Sequence, residues 1–319
     1  RRSRGLGDVY KRQALNDDGT PSPLSPDLQG LDFLFVGSSP DIQDPSFKIP
    51  NIGPRFDKVE YQGAFAQDEL DNWTLGWTVS LNGNNTVWEP ATGGTLAGGT
   101  PVADGNCPAG TTDVGDQELS LVFSGQMDRC QLSRRYDVDG TILTLTNDNV
   151  YLLASSFPGT YIGNGDAADG NTTNDVSVTL VIEPGTLIMG ASGEALVITR
   201  GSQVTAAGTA VDPIVMTSRD QFEDWMQGSD GTSGRGEWAG FALMGYARSN
   251  ECGNPCDVAA EGNIGAYGGT DDADSSGDLD YVVIRHAGND IDGNGNELNG
   301  LTFFATGSNT TSSYIQVHK

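Results

Sequence analysis

The sequence predicts an all-β protein: a right-handed parallel β-helix, or solenoid, with long loop insertions, preceded by an irregular β-rich segment. Three observations lead there. The 319 residues include 44 glycines and 14 prolines but only 8% aromatic residues, a composition suited to many short strands and tight turns. Apolar β-branched runs recur at short intervals between Val178 and Ser218. The unit that recurs is too short to hold a crossover helix, so it buries its apolar face only by stacking on its neighbours.

The recurrence is clearest from Leu180-Val181-Ile182, which leaves through Glu183-Pro184-Gly185-Thr186. Sixteen residues on, Leu196-Val197-Ile198 leaves through Thr199-Arg200-Gly201-Ser202, and Ile214-Val215-Met216 opens eighteen residues after Leu196. Pro184 presets φ for the first central position of a type II turn, and Gly185 supplies the positive φ of the second. This spacing predicts that 180–182, 196–198 and 214–216 stack directly on one another in parallel, with Leu180, Ile182, Leu196 and Ile198 pointing inward. Antiparallel hairpins would imitate the pattern locally.

The other elements follow in chain order. Residues 14–55 read as loop or linker, with one strand-like run at Leu31–Val36. From 56 to 140 the chain reads as β-rich, with Trp73-Thr74-Leu75-Gly76-Trp77-Thr78 alternating as a half-buried strand does. The Trp pair reads as core packing, with sugar stacking as the alternative. Leu119–Phe123, Ile142–Leu145 and Val150–Leu153 read as strands, and Asn147-Asp148-Asn149 as a turn. The β-helix itself is expected over 141–319, interrupted by acidic, Gly-rich excursions at roughly 220–237, 248–278 and 287–297. Between them lie strand-like runs at Trp238–Tyr246, Leu279–Arg285, Leu301–Ala305 and Tyr314–Val317, and Tyr281–Arg285 and Tyr314–His318 look like equivalent strands on successive turns.

Charge narrows the partners. Forty-three acidic against 17 basic side chains give a net charge of −26. Nucleic-acid binding proteins gain affinity by releasing counterions through Lys and Arg contacts, so DNA and RNA are not expected partners. No apolar run reaches the 18 residues of a membrane-spanning helix. Cys107 and Cys130, and Cys252 and Cys256, form two local pairs that read as disulfides and hence as an oxidising, extracytoplasmic address. The chain begins at Arg1 without Met and ends within a strand-like run, as expected of a piece of a longer protein.

Several segments carry a family resemblance. They are Leu180–Thr186, Gly208-Thr209 with Pro213–Ser218, Tyr267–Gly277, Tyr281–Arg285 and Asn296–Thr302. As an ordered series they resemble large bacterial envelope proteins, secreted or cell-surface, lipoprotein-like and with a right-handed, pectin-lyase-like β-helix. Tyr61–Phe65 with Trp73–Thr78 resembles the closing segment of such a module. The resemblance implies fold and address; the group has no single agreed activity. Arg4–Gln13 resembles translated sequencing adapter, so 1–13 is set aside as an artefact, with a disordered arm as the alternative.

The chemical candidates are few. Asp272, Asp274, Ser276 and Asp278, with Gly277, fall at the odd positions and sharp turn of a calcium loop, where hard oxygen ligands are needed. The twelfth position is Val283 rather than Glu, so a helical EF-hand is excluded. Asp290, Asp292 and Asn294 form a second such run. Both runs read either as simple calcium loops, calcium being the one cofactor expected, or as solvated acidic turns. Arg285 beside His286 is the sole grouping that resembles the base of a β-helix lyase, although an Arg loses its proton with great difficulty. The expected function is a structural or binding module, adhesin-like or glycan-contacting, with a polysaccharide or another surface protein as partner. The alternatives are a polysaccharide lyase or glycoside hydrolase, and a ligand-free spacer.

Overall fold

The computed structural model describes residues 77–78, 104–118, 126–164, 175–226, 234–251, 256–291 and 295–318. The chain divides into two compact units, Arg1–Asn84 and Asn85–Lys319. Of the first, only Trp77 and Thr78 are described, and both are buried. The expectations for 1–13, 14–55, the Tyr61–Phe65 segment, Trp73 and the Leu119–Phe123 strand lie outside the described residues.

The second unit is a parallel β-helix with three strand-bearing faces. The first face stacks β4 (Ile142–Leu145), β7 (Thr179–Ile182), β10 (Gln203–Ala207) and the first half of β15 (Gly277–Arg285). The second stacks β2 (Gln126–Leu132), β5 (Asn149–Leu152), β8 (Leu187–Gly190), β11 (Ile214–Ser218) and the second half of β15. The third stacks β3 (Arg135–Tyr136), β6 (Gly159–Ile162), β9 (Ala195–Ile198), β12 (Gly240–Met244) and β16 (Leu301–Phe304). β17 (Thr311–His318) then lies along the whole of β15, from Asp278↔Thr311 to Arg285↔His318. The parallel ladders thus already include β2 and β3, ahead of residue 141. β1 (Thr111–Glu118) pairs antiparallel with β2, and the short β13 (Val258–Ala259) and β14 (Ala266–Tyr267) pair antiparallel with each other within an excursion.

The expected direct stacking of 180–182, 196–198 and 214–216 is not what forms. These three segments belong to β7, β9 and β11, one on each face. The interval from Leu180 to Leu196 is two faces of one coil, not a whole coil. Thr179 instead pairs with Gln203, so one uninterrupted coil takes 24 residues. The inward orientation does hold: Leu180, Ile182, Leu196 and Ile198 are all buried in the main core. Registered neighbours build apolar stacks along the axis, such as Leu145, Ile182 and Ala206 on the first face. Ile162, Ile198 and Leu243 do the same on the third. Each fully buried Leu or Ile contributes roughly 2 kcal/mol.

The corners show why this coil closes. Gly185, Gly193 and Gly201 recur every eight residues with φ of 79, 76 and 83°. Each is the third residue of a tight turn closed by Thr186 N to Glu183 O at 3.3 Å, Glu194 N to Ala191 O at 2.9 Å, and Ser202 N to Thr199 O at 3.0 Å. A positive φ at that position favours glycine, so three four-residue strands and three glycine turns make one triangular coil. On later coils the first corner shrinks to a single left-handed residue, Tyr281 (φ 48°) or Tyr314 (φ 52°). Their rings stack at 4.3 Å with planes 6° apart. The expected equivalence of these two strands is what the register shows.

The excursions carry secondary structure of their own. The first contains an α-helix, α1 (Arg219–Met226), whose Phe222 is fully buried and which packs back on β11.

Candidate functional site

A buried charged cluster sits at the corner where the third face returns to the first. Arg200 occupies the first central position of the Thr199–Ser202 turn. Its Nε lies 3.1 Å from Asp175 Oδ2 and its Nη1 2.7 Å from Asp257 Oδ1, with all three side chains no more than 6% exposed. Nη1 also donates to the Gly268 carbonyl at 3.1 Å. Tyr246, one coil further on, donates its hydroxyl to Asp175 at 2.6 Å, and the guanidinium lies 5.5 Å from the centre of its ring. Burial opposes the charge on Arg200, but the hydrogen bond to Asp257 and both carboxylates outweigh it and hold the guanidinium further above its ordinary value. Burial, reinforced by Asp175, pushes the Tyr246 phenol well up. Asp175 and Asp257 are far apart in sequence, so this residue set was not legible as a motif; one Arg in a turn of an acid-rich chain was the sole hint.

The acidic run 271–280 lies against the same corner, and its side chains diverge. Asp272 forms an ion pair with Arg248, accepting from Nε at 3.0 and 2.9 Å and from the Arg248 backbone N at 3.1 Å. The hydrogen bond from the Arg248 side chain holds its carboxyl down at about 2. Asp274 accepts the Tyr246 backbone N–H at 2.8 Å. Ser276 is buried and donates to the Met244 carbonyl at 3.1 Å. Asp278, on β15, accepts from the Thr311 hydroxyl at 2.5 Å. Asp290 accepts from the Gly295 N–H at 2.9 Å; Asp292 and Asn294 lie outside the described residues. Among the described residues no group of three or more His, Cys, Asp and Glu is placed to hold a metal ion. As placed, the 271–280 carboxylates do not converge on a calcium site. Asp272 and Asp274 close the base of their own excursion on Arg248 and Tyr246, and Asp278 reaches the next coil at Thr311.

Arg285 and His286 are both 0% exposed. The Arg285 carbonyl accepts the Trp238 indole N–H at 2.6 Å, and His286 Nδ1 donates to the Gly234 carbonyl at 3.0 Å. A polymer substrate outside the helix touches neither side chain.

A further feature lies on the outer side of the third face. Tyr161, Val197, Ala242 and Met244 point away from the main core, yet all are buried. They pack under Ala260 and Ile264 from one excursion and Ile291 and Leu298 from another, forming a second apolar cluster. Tyr267 and Phe304 extend it with ring centroids 5.1 Å apart. The two excursions interlock: a Cβ on Gly262 (φ 63°) would fall 2.0 Å from Ile291 Cδ1. The Arg200–Asp257 pair anchors the 248–278 excursion. Asn289 anchors the 287–297 excursion, accepting from Gly193 N at 3.2 Å and donating to Gly236 O at 2.8 Å. Beside it, burial raises the Glu194 carboxyl, opposed by Arg219, whose Nη2 lies 3.3 Å away.

Cys107 and Cys130 are disulfide-bonded, their Cα atoms 5.5 Å apart. Cys256 is also disulfide-bonded; Cys252 lies outside the described residues. Among the described residues, no helix is long and apolar enough to cross a membrane.

Residues 165–319 match a family model described as a pectate-lyase like beta helix domain. No curated protein and no solved structure gives a match. The family match agrees with the parallel coils and supports a pectin-lyase-like β-helix with a carbohydrate-related or structural role.

Proposed function

We propose that the chain is an extracytoplasmic binding module, a β-helical scaffold that presents a preformed loop platform to a polysaccharide or to another surface protein. The observation that carries this reading is the platform over the third face. Binding residues concentrate on loops held by a rigid scaffold, and in solenoids insertions gather on one face, often the binding face. Here two excursions share an apolar floor with β6, β9 and β12, and each has its own polar anchor. Ordering such loops before a ligand arrives lowers the entropy lost on binding. The Cys107–Cys130 disulfide suits an oxidising compartment, and a net charge of −26 favours neutral or cationic ligands over polyanions.

The catalytic alternative draws less support, because Arg285 and His286 are sealed and the charged cluster at Arg200 is spent on anchoring. The test is co-sedimentation with a panel of insoluble neutral and anionic polysaccharides, with new reducing or unsaturated ends assayed in the same tubes. The expected result is binding to a neutral polymer without new ends, weakened by Arg200→Gln. Release of new ends overturns the non-catalytic reading. Retention that Arg200→Gln leaves unchanged removes the platform from it.

A further inference from the structure

β1 differs from the other strands of the helix in its direction. Thr112 through Asp116 are exposed and Gln117 is buried, so residues 112–116 add almost nothing to the core. The strand runs antiparallel to β2, and its register slips between Asp113 and Asp116. Charges and a bulge on a strand at a sheet edge discourage further pairing. What holds this strand is a set of staples on the segment just before it. Cys107 is bonded to Cys130 in the middle of β2. The buried Asp128 of β2 accepts backbone N–H groups from Asp104 at 3.0 Å, Gly105 at 3.1 Å and Asn106 at 3.4 Å. The Gly110 carbonyl accepts from the Tyr136 hydroxyl at 2.8 Å and from Ser133 Oγ at 3.2 Å.

The strand beneath is of the opposite kind. β2 (QMDRCQL) is mostly buried and carries one Asp and one Arg. It is locally neutral in a chain of net charge −26, so two copies do not repel one another there. Removing β1 leaves a row of backbone donors and acceptors on β2, which an antiparallel strand of the same polarity as β1 would satisfy. A two-fold axis supplies such a strand from the β2 of a second copy, because a symmetric pair of edges is self-complementary.

We infer that β1 is an edge guard locked by the Cys107–Cys130 disulfide, and that reduction converts the β2 edge into a surface that pairs with a second copy of this chain. The step is an exchange with an external dithiol: its thiolate attacks one sulfur and the other leaves as a thiolate. A second attack then leaves two protein thiols and the dithiol oxidised. This inference is independent of the platform reading.

The experiment compares the full chain, oxidised or treated with a dithiol, by light scattering at several concentrations and by hydrogen exchange. Expected is a monomer when oxidised. After reduction, β1 amides should exchange at least tenfold faster, the β2 amides that face β1 rather than β5 should stay protected only at concentrations where a dimer forms, and β7 to β12 should be unchanged. A second variant, Asp113→Pro with Gln117→Pro, breaks the β1 ladder with the disulfide intact and should dimerise when oxidised. A reduced chain that stays monomeric with β1 protected overturns the proposal, as does general loss of protection across β7 to β12. So does a monomeric proline variant with a freely exchanging β2.

Discussion

Arg200→Met keeps the length of the side chain and removes its charge, leaving Asp175 and Asp257 buried at 4% and 6% exposure with no cation between them. Breaking a buried pair by removing one partner costs about 3–5 kcal/mol, because the remaining charge is uncompensated. The chain has a way to evade part of that cost: the excursion carrying Asp257 lifts off and hydrates its carboxylate. The loss at the anchor is therefore expected at the low end, about 3 kcal/mol, and concentrated in the platform. At 1.4 kcal/mol per decade this is roughly a hundredfold rise in local opening. Hydrogen exchange should show amides 256–268 losing about that much protection, while β7 and β8 lose little. Asp257→Asn, which keeps a hydrogen-bond acceptor and leaves Asp175 paired, should cost less than half as much. Arg200→Met with unchanged exchange over 256–268, or with a stability loss under about 1 kcal/mol, would refute the anchoring argument.

Further predictions follow from the corners and the buried phenols. Gly277 has φ of 120°, and a Cβ there would lie 1.9 Å from the Val204 carbonyl oxygen of the coil below; Gly277→Ala should cost about 3 kcal/mol or more in denaturant unfolding, whereas Gly193→Ala, with open space around it, should cost only the strain of its backbone, about 1 kcal/mol. Burial pushes the Tyr151 phenol up to about 12, and its oxygen accepts the Thr146 N–H at 2.8 Å. Above pH 10 the unfolded chain releases this proton while the folded chain keeps it, so stability present below pH 10 is lost as pH rises toward 12, by about 3 kcal/mol at 1.36 per unit. Tyr151→Phe should flatten that alkaline slope in pH-dependent unfolding. Asp274 caps the Tyr246 N–H, so Asp274→Ala, which removes the acceptor, should lower the melting temperature equally in chelator and in millimolar calcium; a loss confined to calcium-containing buffer would restore an ion to this loop.

The strands themselves were legible, because inward Leu, Ile and Val alternate with Thr and Val over four-residue runs and glycine turns mark their ends. The period was not. The coil openings at Ile142, Thr179, Gln203, Gly277 and Thr311 are unevenly spaced, since excursions lengthen all but the step from 179 to 203. The eight-residue rhythm of Gly185, Gly193 and Gly201 was the signal that a coil has three faces. Leu180 and Leu196 alone made two faces look like a whole turn. At the site, the acidic runs could be found but their task could not. An Asp-rich sequence is the same whether its carboxylates converge on an ion or, like Asp272 and Asp274, diverge to an Arg and a backbone N–H. Burial of Arg285 and His286 was equally invisible, because it depends on segments distant in sequence, such as 234–238, that fold back against them.

The three-faced coil underlies the platform, the corners and the edge guard alike, and one distance tests it. Thr144, Val181, Thr205 and Asp278 are registered neighbours on the first face, so Thr144 and Asp278 are three strand spacings apart, about 14 Å between backbones. Nitroxide labels at Thr144→Cys and Asp278→Cys, with the native disulfides left oxidised, should report a single narrow distance of roughly 15–25 Å once label length is added to that spacing. A broad distribution, or a distance beyond about 30 Å where the stack allows only three spacings, would contradict the coil.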